Sequence, residues 1–157
     1  MKEILLVCLK LEMEKRGGVQ ARIRNYVTHL PSLGYQPSVL ALSPDKIKTT
    51  NTYLSHPLYQ MYKRNVFNII TTMIYLLINQ DISCVHIIEG TTGIGGLVIL
   101  LLAKLFRKKT GISVYSGELV DLRAIKGPFL RRAIFSALVT LTDEIAVNSR
   151  ATAGLLP

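Results

Sequence analysis

Two adjacent glycines, Gly17 and Gly18, are the first residues whose types and placement indicate chemistry. They follow the apolar run EILLVCL and two basic residues, and they precede an amphipathic segment that begins at Val19. A glycine pair between a strand and a helix lets a ligand approach the backbone, and the helix N-terminus offers unpaired N–H groups. The expected ligand is phosphate. A tight turn without a ligand stays open as the simpler alternative, because the pair matches neither Gly-x-Gly-x-x-Gly nor a Walker loop.

Polar residues that could meet a ligand's hydroxyl groups follow two later apolar runs. After SCVHII and GISVY come, in order, Glu89, Gly90, Ser116, Gly117, Glu118 and Asp121. Carboxylates in such loops either accept hydrogen bonds from a ligand or simply face water, and the sequence leaves both open. Arg22 and Arg24 could bind phosphate, although the favoured interpretation is that they lie on the solvent-exposed face of the first helix. His86, between Val85 and Ile87, is interpreted as a core histidine.

Alternating strand-like and helix-like segments would position these residues. Apolar runs predict strands over 3–9, 35–42, 83–89, 111–116 and 143–149, and helical periodicity predicts helices over 18–33, 66–79, 97–107 and 128–141. Gly34 is expected to end the first helix, whose last turn Pro31 disturbs. Residues 43–56 are predicted to be a loop, and Asn148 or Ser149 is predicted to cap one more helix.

This order predicts an α/β fold: a doubly wound, mainly parallel Rossmann-like sheet with helices on both faces. In such sheets ligands bind beyond the carboxyl ends of the strands. The predicted site is therefore formed by the loops that follow Leu9, Ile88, Ser116 and Val147.

Composition limits the classes of protein that remain. The 157 residues are 49% hydrophobic and suit one globular domain over 1–157, and the formal net charge of +9 favours anionic partners. Cys8 and Cys84 are expected to be free thiols in a reducing compartment. The N-terminus does not read as a signal peptide, and the apolar segments 66–78 and 94–106 are too short to span a bilayer. A cytoplasmic protein is therefore expected.

Several segments, in order, resemble the N-terminal domain of family 4 glycosyltransferases, whose GT-B fold places two Rossmann-like domains across a cleft. ILLV followed by RGGVQARIRNYVTHLPSLGYQPSVLAL is similar to the family's glycine-rich loop, first helix and second strand. DISCVHIIEGTTGIGGLVILLLAKLFRKKTGISVYSGE resembles its Asp-Val-Val-His-x-His segment, apolar helix and His-Gly-Glu strand end. TDEIAVNSRATAGLL resembles the segment that follows. The likeness covers nearly the whole chain.

The resemblance implies transfer of a sugar from a nucleotide-sugar donor to the hydroxyl of a sugar or lipid-linked acceptor, without a metal or other cofactor. It implies donor-diphosphate contacts at Gly17 and Gly18, and acceptor contacts at Glu89, Gly90, Ser116, Gly117 and Glu118. The nucleotide is expected to be held mainly by a C-terminal domain that this chain does not contain, so the isolated chain is expected to be inactive. Eight basic residues between Lys104 and Arg132 resemble the surface of an enzyme that rests on the inner face of an anionic membrane. A solvated basic surface is the open alternative.

Two departures from the family pattern keep other functions open. Ser116 and Ile88 stand where the family often has histidine, and no residue is assigned as catalytic. A non-catalytic domain that binds a sugar or a partner is therefore the main alternative. A nucleic-acid-binding module lacks the expected aromatic residues, and a nicotinamide dehydrogenase lacks the Gly-x-Gly-x-x-Gly loop.

Overall fold

One mainly parallel sheet organises the chain. The computed structural model describes residues 2–8, 18–42, 52–61, 66–89, 94–114 and 129–147, and within these ranges seven strands lie in the order β3-β4-β2-β1-β5-β6-β7. The strands are β1 (Lys2–Cys8), β2 (Tyr35–Leu42), β3 (Thr52–Tyr53), β4 (His56–Met61), β5 (Ile82–Glu89), β6 (Lys109–Val114) and β7 (Glu144–Val147). Each neighbouring pair is parallel except β3 and β4. The predicted α/β fold with a mainly parallel, doubly wound sheet is confirmed.

Helices cover both faces of this sheet, which explains why its strands read as nearly continuous apolar runs. The helices are α1 (Gly18–His29), α2 (Val66–Asn79), α3 (Ile94–Leu105) and α4 (Phe129–Leu141). Successive residues of β1 point to opposite faces, so that Leu5 and Val7 pack under α2, α3 and α4 whereas Leu6 and Cys8 pack under α1. Cys8 and Cys84 are both reduced cysteines outside any disulfide, as predicted.

The first helix ends differently from its prediction. The α-helix stops at His29, and a 3₁₀ helix continues from Leu30 to Leu33 with Pro31 in its first turn. A proline there removes no hydrogen bond that the chain would otherwise make, since the first N–H groups of a helix have no partner within it. Gly34 then adopts a φ of +81°, and its N–H donates to the carbonyl oxygen of Pro31 at 3.0 Å. Its predicted role as the end of the segment is confirmed.

The third helix begins at Ile94, three residues before the predicted start at residue 97. Two adjacent glycines before residue 97 are typical of a turn, but Gly95 and Gly96 both lie in the first turn of α3. Here the absence of a side chain serves packing: a Cβ built on Gly95 would lie 3.1 Å from Cδ1 of Ile69 in α2. Gly95 therefore allows α3 to approach α2 closely.

The strand pair β3–β4 was not predicted. Residues 43–56 were expected to be a loop, whereas Thr52–Tyr53 pairs antiparallel with the first residues of β4, which then runs parallel to β2. The segment His56–Met61 contains a proline and has only Leu58 and Met61 fully buried, so it lacks a strong strand pattern. Pro57 is tolerated because it lies next to the edge of the sheet.

Candidate functional site

The carboxyl ends of four strands meet at one edge of the sheet. Cys8, the last residue of β1, is paired with Glu89, the last residue of β5, and the last residues of β6 and β7, Val114 and Val147, are also paired. The chain segments that follow these strands therefore leave the sheet side by side. This edge is where an open parallel sheet binds its ligands.

Two predicted site residues lie at this edge within the described structure. Gly18 is the first residue of α1. Glu89 is the last residue of β5 and is paired with Cys8, the last residue of β1. The remaining predicted contacts lie outside the described residues, namely Gly17, Gly90, Ser116, Gly117 and Glu118. The structure thus brings the start of α1 and the end of β5 to the same edge of the sheet, as the sequence predicted.

Gly18 is exposed, and nothing in its surroundings requires a glycine. Its φ lies outside the left-handed region, and a Cβ built on it would meet only Nη2 of Arg22, at the ordinary contact distance of 3.8 Å. A tight turn with positive φ, the simpler alternative for this residue, therefore does not describe Gly18. Among the described residues, only the side chain of Arg22 approaches the start of this helix, and the first N–H groups of a helix are the donors that an anion accepts.

The charges around the start of α1 also favour an anion. The first turn of α1 contains no acidic residue, and the guanidinium of Arg22 lies close to Gly18. Arg24, by contrast, is exposed, as expected for the wet face of the helix.

A cavity of about 450 Å³ lies between α1 and the strands β6 and β7. It runs from Arg22 near the start of α1 to the 3₁₀ helix, and the ends of β6 and β7 form its other wall. Its lining is mainly apolar, and the residues are Arg22, Asn25, Tyr26, His29, Leu30, Leu33, Ser113, Ala146 and Val147. A concave apolar wall with a few polar groups is the usual form of a small-molecule site.

A small polar network adjoins this cavity, and two of its residues, Tyr26 and Ser113, line it. Nε2 of His86 lies 2.8 Å from Oγ of the buried Ser113, and the hydroxyl of Tyr26 lies 3.5 Å from the same oxygen. The rings of Tyr26 and His86 are also in contact, with centroids 5.4 Å apart. Burial lowers the pKa of His86 to about 4, so the imidazole is neutral at pH 7. These contacts fit a histidine whose hydrogen bonding is satisfied within the domain, as interpreted from the sequence.

Gly111 makes the position of His86 possible. The two residues are paired across β5 and β6, and a Cβ on Gly111 would lie only 2.4 Å from Nδ1 of the imidazole. No side chain fits there unless the histidine moves.

Sequence reasoning did not find Tyr26 and Ser113 as parts of a cavity. Tyr26 shares the helical spacing of Val19, Ile23 and Leu30, and this spacing predicts only an amphipathic helix. Ser113 is a hydroxyl in the otherwise apolar segment Ile112–Val114, and this interruption was the available signal. Its partners could not be deduced, because Tyr26 is 87 residues away in the chain.

No group of three or more histidine, cysteine or acidic residues that could hold a metal occurs in the part of the chain that the structure describes. Among the same residues, the helices are all too short or too polar to cross a membrane.

Comparison with solved structures finds the same fold in proteins of very different sequence. The UDP-GlcNAc 2-epimerase from Methanocaldococcus jannaschii superimposes with a TM-score of 0.66 at 10% identity, over 99% of this chain and 41% of its own. MurG from Acinetobacter baumannii gives a TM-score of 0.60 at 16% identity, over 100% of this chain and 43% of its own. The chain therefore matches one Rossmann-like half of a GT-B fold. It spans about two fifths of the length of these proteins.

The same architecture also occurs in another class of enzyme. A short-chain dehydrogenase/reductase from Veillonella parvula, solved with NADP, gives a TM-score of 0.52 at 7% identity over 93% of this chain. No protein-family model matches the sequence, and a search of curated proteins gives no match. At these identities the likenesses establish the fold, and function has to be argued from the site.

Proposed function

We propose that this chain is the acceptor-side half of a family 4-like glycosyltransferase. The whole protein would transfer a hexosyl group from a nucleotide-sugar donor to an acceptor hydroxyl in the synthesis of a glycan, glycolipid or cell-surface polysaccharide. The observation that carries this proposal is the start of α1: an exposed glycine, an arginine beside it and no acidic residue in the first turn, at the ligand-binding edge of the sheet. The GT-B likeness gives general support to a sugar-modifying enzyme.

The proposed role of Gly17 and Gly18 is to admit the donor diphosphate. When the bond between the sugar and the diphosphate breaks, the electron pair of that bond goes to the phosphate oxygen, and negative charge grows there. Open N–H groups at the start of α1, together with the guanidinium of Arg22, would stabilise this charge without a metal ion.

The acceptor would lie against the neighbouring strand ends. Glu89, Gly90, Ser116, Gly117 and Glu118 are the proposed acceptor contacts, of which Glu89 has its backbone position described. The cavity between α1 and the ends of β6 and β7 would give the acceptor an apolar wall beside these polar contacts. A second domain would hold most of the nucleotide. We place the protein in the cytoplasm, on the inner face of the membrane, where it would meet a lipid-linked acceptor.

An epimerase that acts on a nucleotide sugar is a second candidate, favoured by the TM-score of 0.66 with the UDP-GlcNAc 2-epimerase. The two reactions differ in their products. Transfer releases the nucleoside diphosphate and joins the sugar to an acceptor. Epimerisation either leaves the sugar attached to the nucleotide or releases the sugar and the nucleotide separately, without an acceptor. UDP-N-acetylglucosamine is therefore the first donor to test, with product analysis by mass spectrometry.

Substitution of Gly18 by valine in the full-length protein tests the proposed phosphate contact. We expect sugar transfer to fall by about 10²-fold or more, the usual effect of losing a donor that stabilises developing charge. The melting temperature should not fall, because the Cβ meets nothing closer than 3.8 Å and valine is a better helix former than glycine.

Gly34→Ala is the matched control at the other end of the same segment. Its φ of +81° makes an alanine costly by about 1 kcal/mol, so stability should fall while the activity of the folded protein is retained. A Gly18→Val protein that is folded and fully active would refute the phosphate role. If neither transfer nor epimerisation occurs in the wild type with any nucleotide sugar, the domain has a non-catalytic binding function instead.

A further inference from the structure

The cavity between α1 and the strands β6 and β7 arises from the residue pattern of those strands. We call it the α1 cavity, and its lining includes Ser113 and Ala146. These two residues are paired across β6 and β7, so their side chains point to the same face of the sheet. The residues that alternate with them, among them Ile112 and Ile145, are large and pack on the opposite face. Small residues on the face of α1 therefore leave the space.

The α1 cavity is large enough for a substantial ligand. Its volume is about 450 Å³, whereas an apolar cavity of about 150 Å³ is enough to bind benzene. The α1 cavity thus has room for about three groups of that size. It reaches the carboxyl edge of the sheet at Val147, the last residue of β7, and the 3₁₀ helix at Leu33, whose side chain is 69% exposed. A ligand bound at the carboxyl edge can therefore extend along α1.

One hydroxyl group of the lining is placed to bond to such a ligand. Ser113 is almost completely buried, and its Oγ already lies 2.8 Å from Nε2 of His86. The hydroxyl of Tyr26 lies 3.5 Å from the same Oγ, which is long for a hydrogen bond between two hydroxyl groups. A ligand oxygen in the cavity can therefore offer the Tyr26 hydroxyl a better bond. This hydroxyl can donate to a ligand oxygen or accept from a ligand hydroxyl.

The lining favours an uncharged ligand. It is mainly apolar, and its hydroxyl groups are neutral. Its ionisable side chains are Arg22, near the start of α1, and the exposed His29. Glu144, two residues before Ala146 in β7, places a negative charge on the same face of the sheet. The surrounding charges are thus of mixed sign. A charged group deep in the cavity would lose its hydration, which is costly without a partner of opposite charge.

We propose that the α1 cavity binds an uncharged apolar group that carries one hydrogen-bonding oxygen, and that this oxygen bonds to the hydroxyl of Tyr26. A fused ring system or a short alkyl chain would satisfy this chemistry. The inference deepens the proposed function and rests on it only for the identity of the ligand, which would be the part of the acceptor next to the receiving hydroxyl.

Binding of 2-naphthol to the full-length protein, followed by the fluorescence of the probe, tests the proposal. The matched probes are naphthalene, which lacks the oxygen, and 2-naphthoate, which is anionic. We expect 2-naphthol to bind more tightly than either. Competition with 1-octanol distinguishes the two forms of ligand: displacement of 2-naphthol would show that the cavity also accepts an alkyl chain, and a lack of displacement would restrict it to ring systems.

Tyr26→Phe separates the hydrogen bond from the apolar contact. The substitution removes the hydroxyl and keeps the ring, so the variant should bind 2-naphthol about fivefold more weakly, the usual effect of losing one hydrogen bond. Its affinity for naphthalene should be unchanged. An equal affinity of both proteins for 2-naphthol would overturn the role of Tyr26.

Ala146→Leu tests whether the probe lies in the α1 cavity. The larger side chain extends into the cavity from β7, and we expect it to weaken the binding of 2-naphthol at least tenfold. Ala133→Leu is the matched control, because Ala133 is exposed on α4, which covers the other face of the sheet. This variant should bind 2-naphthol like the wild type. Both variants should keep the melting temperature of the wild type, since Ala146 faces the cavity and Ala133 faces water.

The proposal is overturned if folded Ala146→Leu binds 2-naphthol as tightly as the wild type. It is also overturned if naphthalene or 2-naphthoate binds best, or if the wild type binds none of the probes. The proposed function can fail separately. If no nucleotide sugar supports transfer but 2-naphthol binds with the expected dependence on Tyr26 and Ala146, the ligand site stands and only its assignment to an acceptor is lost.

Discussion

The absence of a side chain at Gly111 determines the environment of His86, and with it the protonation of the imidazole. Gly111 leaves room for the imidazole between β5 and β6, and the ring then bonds to Ser113 and packs on Tyr26. This position withdraws the imidazole from water, and burial lowers its pKa to about 4 from the ordinary value of 6.5. The protonated form is thus disfavoured in the folded state.

The stability of the domain should therefore fall in mild acid. Below pH 6.5 the unfolded chain gains a proton on His86 that the folded chain does not bind until about pH 4. The contribution of His86 to the free energy of unfolding is highest above pH 6.5 and should decrease by about 3 kcal/mol as the pH falls to 4. Urea unfolding at several pH values measures this slope. His86→Gln should lack this component, and an equal pH dependence in both proteins would contradict the assignment.

Part of the candidate site could be predicted from residues alone. The glycine pair located the start of α1, and the apolar run before Glu89 located a strand end, because both signals are local. The cavity depended on contacts between Tyr26 and β6, which only the folded sheet creates. A sequence gives residue types at each position, but not which distant strand lies beneath a helix.

At the scale of elements, long periodic segments were predictable and short or glycine-rich ones were not. The bounds of β2 and α2 agree with the prediction, since both have strong apolar patterns. The strand β4 was missed because its six residues include a proline and little alternation. The start of α3 was misplaced because glycine disfavours helices, and the packing of Gly95 against Ile69 outweighs that preference.

A double-mutant cycle at Gly95 and Ile69 tests this packing. Ile69→Val removes Cδ1, the atom that lies 3.1 Å from a Cβ at residue 95. In that background Gly95→Ala should stabilise the protein by up to about 1 kcal/mol through helix propensity. With Ile69 intact the gain should be smaller or reversed, so the coupling should exceed about 0.5 kcal/mol in chemical denaturation. Equal effects in both backgrounds would show that α3 does not need the glycine to approach α2.

At the scale of the whole molecule, the two faces of the sheet are packed against different helices. One face is packed under α1, whose start lies at the proposed diphosphate contact, and the other is packed under the layer formed by α2, α3 and α4, whose outer side is apolar. The proposed donor contact and the outer side of that layer are therefore on opposite faces of the sheet.

The isolated chain should fold but bind nucleotide sugars poorly. Its core is continuous on both sides of the sheet, so we expect cooperative unfolding by circular dichroism. A charge at a helix N-terminus contributes about 1 kcal/mol, whereas micromolar binding requires about 8 kcal/mol. The proposed diphosphate contact is thus far too weak alone, and the matched solved proteins are more than twice as long as this chain. Titration calorimetry with UDP-N-acetylglucosamine should give no micromolar binding to residues 1–157 and clear binding to the full-length protein. Micromolar binding to a well-folded isolated chain would place the base and ribose contacts in this half and reverse the proposed division between the two domains.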